Sequence, residues 1–305
     1  MRPPAPLPEE LPDAFDIATA AGLGVPPGRL RRADLESPYR GVRLRGARPP
    51  AHDFRAMCAA YAPRLKPWQF FSHETALGLL GVPLPEWPHR PAVHVAAHRP
   101  AREPRLRGVV GHRLQTREPA VLRTSSGMPV EHPVRAWRQC ARIWRLDDLI
   151  AAADHIVSRH WGDARDLARE IETMGDAAGA PLRRALMMTR GGVRSARETR
   201  LRLRLVRAGL PEPDVAWVLR DRHGAFVAEL DLSYPRYRVA VEYDGRVHAE
   251  DAAQFRRDAD RWDRIRAEGF DLVRILSHHM QDDAGAAVAK VADALRRAGW
   301  HPGAA

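Results

Sequence analysis

The chain has 305 residues, a formal net charge of +11 and 45% hydrophobic residues. That apolar share fills proper cores and excludes wholesale disorder, and the length points to two domains. No stretch approaches the roughly 18 apolar residues of a membrane span. Cys58 and Cys140 are the only cysteines. They form neither a disulfide framework nor a zinc pattern and read as small buried hydrophobes.

Residues 1–14 (MRPPAPLPEELPDA) lack the apolar core of a signal peptide and read as a flexible tail. A cytoplasmic protein is expected from these features. Phe15 to Leu35 is expected to hold two short helices around Gly22–Gly28, and Gly41 to Leu44 a short strand, so residues 15–50 outline a winged helix-turn-helix. Ser72 to Leu80 reads as a capped helix stopped at Gly81. Val93 to Ala97 and Arg107 to Leu114 read as strands, and Val121 to Val130 as a hairpin across Ser125, Ser126 and Gly127. His94, His98 and His112 fall in or near these strands and read as scattered surface histidines, with a metal site from them as the alternative. Val134 to Trp144 and Leu146 to Arg159 read as helices. Gly175 to Pro181 and Gly191-Gly192 mark a linker over 176–193. This gives an α/β region over 51–175 and a separate unit over 194–300.

The second unit carries the chemistry. Ser195-x-x-Glu198 is a capping box that opens a helix through Leu205. Phe226 to Leu232 reads as a strand, turned back by Ser233 to Tyr237 into a second strand over 238–244. Glu242 and Asp244 share a face of that strand, about 7 Å apart, and the hairpin brings Asp231 near them. Such acids repel unless a cation neutralises them, and an oxygen-only set favours a hard ion, Mg²⁺ or Mn²⁺. Acids at this spacing also fit a strand with outward polar side chains. Gly245 allows a close approach, and His248 follows within reach of the cluster. Gln254 to Glu268 reads as a helix with Phe255, Ala259, Trp262 and Ile265 on one stripe. Phe270 to Leu276 reads as a strand and Asp282 to Ala298 as a closing helix. Strand–helix–strand implies a parallel pair within a mixed sheet.

That order, with Ser195, Glu198, Gly209-Leu210-Pro211, Asp231, Glu242-Tyr243-Asp244-Gly245, His248, Asp258, Arg261, Gly269-Phe270 and Arg274, resembles the PD-(D/E)XK nuclease superfamily. It is most similar to the very-short-patch-repair endonuclease-like domains that end many bacterial proteins, and it covers about the last third of the chain. Residues 10–160 loosely resemble the N-terminal regions of abortive-infection (type IV) antitoxin-like proteins. The expected class is therefore α/β (α+β), with an N-terminal mixed helical/β domain and a C-terminal restriction-endonuclease-like mixed sheet flanked by helices.

The resemblance implies a metal-dependent DNA endonuclease. Asp231, Glu242 and Asp244 would hold Mg²⁺ or Mn²⁺, and Glu198 would reach the ion through a water. His248 would position or deprotonate the attacking water, or protonate the leaving oxygen. Arg261 and Arg274 would face the DNA phosphate or pair with nearby acids. Duplex DNA is the implied partner, together with a toxin or another protein. The superfamily places a Lys two residues after the Glu, where this chain has Asp244. Its two lysines, Lys66 and Lys290, lie far off in sequence. That departure keeps two alternatives: a non-catalytic antitoxin-like DNA-binding regulator with a degenerate nuclease domain, and an antitoxin that binds only a protein partner. No GxxxxGK[ST], GxGxxG or nucleophile elbow is present, so nucleotide-driven and serine-hydrolase chemistry are not expected.

The charge is unevenly spread. Residues 1–194 hold 30 basic and 20 acidic side chains, a net of +10, whereas residues 195–305 hold 19 and 18, a net of +1. The first two thirds are thus expected to supply most of the affinity for duplex DNA. Binding should weaken steeply with salt, by a log–log slope of about −0.9 per neutralised phosphate. Replacing arginines within 1–194 should flatten that slope in fluorescence-anisotropy titrations, and an unchanged slope would overturn the assignment.

Overall fold

The structure, a computed structural model, describes residues 4–50, 53–86, 89–174, 179–244 and 252–303, with the backbone alone at 174 and 252–256. Gly245 and His248 lie outside the described residues. The chain divides into two compact units, Met1–Trp144 with Glu170–Ala178, and Arg145–Arg169 with Gly179–Ala305. Both belong to the α+β class, with mixed sheets flanked by helices.

The N-terminal unit opens with β1 (Ala14–Asp16) and α1 (Ile17–Gly22), followed by β2 (Leu35–Glu36) and β3 (Val42–Arg45). The strands form a small antiparallel sheet in the order β1-β3-β2. Asp16 Oδ1 caps α1 by accepting from Thr19 N at 2.9 Å. The second helix expected here is instead a single 3₁₀ turn, Arg29–Arg31. Arg32 takes extended backbone (ψ 148°) directly after it, which ends the turn. The described part of the stretch expected as a flexible tail is anchored. Leu11 is 3% exposed in a core with Phe15, Ala20, Val25 and Leu30. Arg29 Nε donates to Ala5 O and Arg45 Nη2 to Pro8 O, at 2.5 and 2.7 Å.

The same unit continues with α2 (Phe54–Tyr61), β4 (Gln69–Phe71), α3 (His73–Leu80), β5 (Val93–His98), β6 (Val109–Leu114), β7 (Val121–Arg123), β8 (Pro129–Glu131) and α4 (Pro133–Gln139). These strands build a mixed sheet in the order β6-β5-β4-β8-β7, with β5–β6 and β4–β8 parallel. Gly111 on β6 is dictated by space: a Cβ there would lie 2.0 Å from Pro104 O. The histidines of this region are not scattered over the surface. His94 is buried, its Nδ1 is 2.8 Å from His112 Nε2, and His73 stacks on both rings. Only His98 stands apart, with Nδ1 against Gln115 O. The expectation failed because the parallel pairing of β5 with β6 unites positions 18 residues apart.

The C-terminal unit holds α5 (Leu146–Ser158), the start of α6 (Ala164–Met174), α7 (Gly179–Met187), α8 (Ala196–Arg207), β9 (Asp214–Arg220), β10 (Phe226–Tyr234), β11 (Val239–Asp244), α9 (Ala252–Ala267), β12 (Asp271–Leu276) and α10 (Gly285–Arg297). The sheet order is β12-β11-β10-β9, with β11–β12 parallel across the α9 crossover and the other pairs antiparallel. Strand alternation splits β11 between two cores. Val239 and Val241 pack with Leu201 and Leu205 of α8 and Val291 and Leu295 of α10. Ala240 turns to the opposite face and packs with Ile265 of α9. Helices therefore cover both faces, and Glu242, in step with Ala240, points toward α9.

Within the stretch expected as a linker over 176–193, α7 occupies Gly179–Met187 and buries Leu182 and Ala185. The segment is held by Asp154 of α5. Its Oδ1 accepts from Arg190 N at 2.7 Å, and its Oδ2 accepts from Thr199 Oγ1 and Arg202 Nη2 at 2.8 and 3.1 Å. The Arg202 and Asp154 side chains are 2% and 0% exposed. Removing one partner of a buried ion pair strands the other charge. Asp154→Ala should therefore lower unfolding stability by about 3 kcal/mol. The exposed control Asp263→Ala should stay within about 0.5 kcal/mol of wild type. Denaturant midpoints of the two variants check this, and equal midpoints would refute it.

Candidate active site

The β10–β11 hairpin builds the site. Leu232 pairs with Val241 and Tyr234 with Val239, across a 3₁₀ turn at Pro235–Tyr237 closed by Arg238 in the left-handed region (φ 51°). One step along from Leu232 and Val241, Asp231 stands beside Glu242. The pair is stitched by backbone donors: Tyr243 N donates to Asp231 Oδ2 at 3.1 Å, and Asp231 N to Glu242 Oε1 at 3.4 Å. Both acids line a cleft of about 430 Å³ with Glu229, Asp244, Asp258, Arg261 and Trp262.

Two arginines answer the acids. Arg261 of α9 grips Glu242, Nη1 to Oε2 at 2.5 Å and Nη2 to Oε1 at 3.1 Å, and also donates to Glu229 O at 2.6 Å. Arg274 of β12 stands opposite Glu242 in the parallel register, yet its Nη2 donates to Asp244 Oδ2 at 2.6 Å. Its guanidinium lies over the Trp262 ring, 3.5 Å from the centroid. Thus Arg261 and Arg274 face the acids in this structure, one of the two arrangements the sequence allows.

The electrostatics single out Glu242. The residue is 6% exposed, and burial with the neighbouring Asp231 charge pushes its pKa up to about 7 despite the Arg261 hydrogen bonds. Burial also raises Asp231, offset in part by the Tyr243 amide and the positive charges of Arg261 and Arg194. Glu198 is raised by burial and then by the Asp231 charge. Its carboxylate is engaged locally: Oε1 accepts from Ser195 Oγ at 2.8 Å and Oε2 from Arg194 N at 2.9 Å. Ser195 Oγ in turn accepts from Glu198 N at 3.2 Å. The structure therefore gives Glu198 a capping role at α8, coupled to Asp231 through space. Glu229 and Arg194 escaped the sequence reading. Glu229 is two residues before Asp231 on β10, a spacing legible in sequence, and it pairs with Arg194 at 2.7 Å.

No family model matches the chain. Two proteins of Mycobacterium tuberculosis, one from strain CDC 1551 / Oshkosh and one from strain ATCC 25618 / H37Rv, are each 26% identical to it over 195 residues. The match covers 64% of this chain and 72% of each relative, and both relatives are named only as uncharacterized proteins. Among the described residues no helix is long and apolar enough to cross a membrane.

Because the folded pKa of Glu242 lies above its ordinary value of 4.5, its contribution to stability is complete below about 4.5 and is lost as pH rises through 7. In metal-free buffer, Glu242→Gln should raise Tm over wild type at pH 8, since the amide still accepts from Arg261 without the buried charge. The gain should shrink toward zero by pH 5. A Tm difference that stays constant between the two pH values would refute the raised pKa.

Proposed function

We propose that the C-terminal unit is a metal-dependent DNA endonuclease that hydrolyses phosphodiester bonds, and that the N-terminal unit of this cytoplasmic protein contributes DNA or partner binding. The observation that carries this reading is the Asp231–Glu242 pair, the half-buried Asp231 beside the buried Glu242 in one cleft, the latter with its pKa near 7. A divalent ion fits that donor set: the acids offer oxygen only, and their mutual repulsion is what a cation relieves. Asp231 and Glu242, with Asp244 beside them, would hold Mg²⁺ or Mn²⁺, whose chemistry is to polarise a phosphate and acidify a bound water.

The chain's own groups do the rest. Arg261, once released from Glu242, offers its fork of N–H donors to phosphate oxygens. Arg274 remains on Trp262 and fixes Asp244. His248, four residues after Asp244 in sequence, takes a proton from the attacking water at an imidazole nitrogen or returns one to the leaving oxygen. It stands in for the Lys that the resemblance calls for and this chain lacks.

Supercoiled plasmid incubated with Mg²⁺ or Mn²⁺ should be nicked, and EDTA should stop the reaction. Asp231→Ala and Glu242→Ala should each abolish nicking while circular dichroism stays native. His248→Ala should slow it by about 10²–10⁴. Nicking that persists in EDTA, or in both acid variants, would sink the proposal. The second reading is a non-catalytic DNA-binding regulator that keeps a degenerate nuclease domain. It is favoured by the ion pairs at 2.5 and 2.6 Å that already neutralise Glu242 and Asp244. That reading expects salt-sensitive duplex binding with no cleavage under any of these metals.

A further inference from the structure

A second site stands in the N-terminal unit, apart from the acids. Among the described residues, His73, His94 and His112 are the group of three whose ligand atoms gather within 4.8 Å of one another. His94 Nδ1 is 2.8 Å from His112 Nε2, and the His73 and His112 rings stack at 3.7 Å between centroids. Three separate elements deliver them: β5 brings His94, β6 brings His112, and the first residue of α3 brings His73.

The surroundings are built around this trio. Glu74 is 1% exposed, and its Oε1 lies 3.5 Å from His94 Nε2. That contact directs the His94 Nε2 proton outward and leaves Nδ1 as a lone pair aimed at the trio, the arrangement of a carboxylate–histidine–metal triad. Glu74 is itself fixed by Ala92 N at 3.0 Å, Trp144 Nε1 at 2.9 Å and His89 Nε2 at 2.6 Å. His73 is held in the left-handed region at φ 52°, unusual for a residue with a Cβ, and its N–H donates to Gln139 Oε1 at 2.9 Å. Such strained residues persist where the surrounding structure over-determines them, and they cluster at functional sites. Arg138, a positive group beside His73, is paired with Glu170, Nε to Oε1 at 3.0 Å.

We infer that His73, His94 and His112 form a three-imidazole site for a divalent transition-metal ion, zinc by ligand type, with Glu74 as the carboxylate that orients His94. Imidazole nitrogen suits zinc rather than the hard ions that an oxygen set selects. Three protein nitrogens leave the fourth tetrahedral position to water or a bound ligand. The site shares no residue with the acid cleft, so it stands or falls independently of the nuclease reading.

The full-length protein, stripped with EDTA and dialysed, should bind one Zn²⁺ per chain by isothermal titration calorimetry. Co²⁺ in its place should show the visible d–d bands of tetrahedral coordination without the near-ultraviolet charge-transfer band of a thiolate. His112→Ala should lose the stoichiometric isotherm, and Glu74→Gln should weaken binding by about 10–100-fold. Asp231→Asn/Glu242→Gln should bind zinc like wild type. Should His112→Ala fail to fold, the wild-type stoichiometry and Co²⁺ spectrum still decide. A folded wild-type chain that binds no zinc identifies the trio as a hydrogen-bonded histidine stack and overturns the site. So does a Co²⁺ spectrum with a thiolate band, or undiminished binding in folded His112→Ala.

Discussion

The C-terminal unit is organised around one electrostatic constraint, the placing of the half-buried Asp231 directly beside the buried Glu242. Two carboxylates in that position repel each other and lose hydration together. Nearby features of the fold answer this. The antiparallel hairpin supplies backbone N–H groups to both acids. The crossover helix α9 returns over that face of the sheet and brings Arg261 onto Glu242. The parallel strand β12 brings Arg274 to Asp244, and Trp262 of α9 flanks that arginine. Burial still outweighs Arg261 at Glu242, which is left poised near neutrality.

Much of this unit was legible in sequence because its signals are local. The alternation of Val239, Val241 and Tyr243 with Ala240, Glu242 and Asp244 fixes a strand and its two faces. Ser195 and Glu198 form the cap their spacing announces. The crossover helix and the strand after it fall within a few residues of their expected bounds. Strand β9 was missed, although Asp221 and Gly224 mark the turn that joins it to β10. What could not be read is tertiary. Arg261 lies 19 positions from Glu242 and Arg274 30 from Asp244, and no periodicity says which acid each will meet. Likewise His73, at the start of a helix, gives no hint that it will stack on a histidine two strands away in sequence.

The two units carry different donor chemistry. The cleft beside β11 is built from carboxylate oxygen and guanidinium, whereas the cluster where α3, β5 and β6 meet is built from imidazole beside the buried Glu74 carboxylate. Each lies at the meeting of a helix with a mixed sheet, and in each the parallel strand pair brings a residue that the antiparallel pairs alone would not. Parallel pairing obliges the chain to cross over and return, so side chains far apart in sequence converge on one face.

The Asp154–Arg202 pair sets where the chain can be divided. A fragment beginning at Ser195 keeps the acids of the cleft but leaves out α5, so the interior guanidinium of Arg202 faces the hole where Asp154 stood, with the half-exposed Glu212 as its remaining acidic partner. Leu201 and Leu205 lie on the same helix as that stranded charge. An autonomous version of the C-terminal unit therefore has to begin ahead of Arg145, well upstream of the acids it is meant to present.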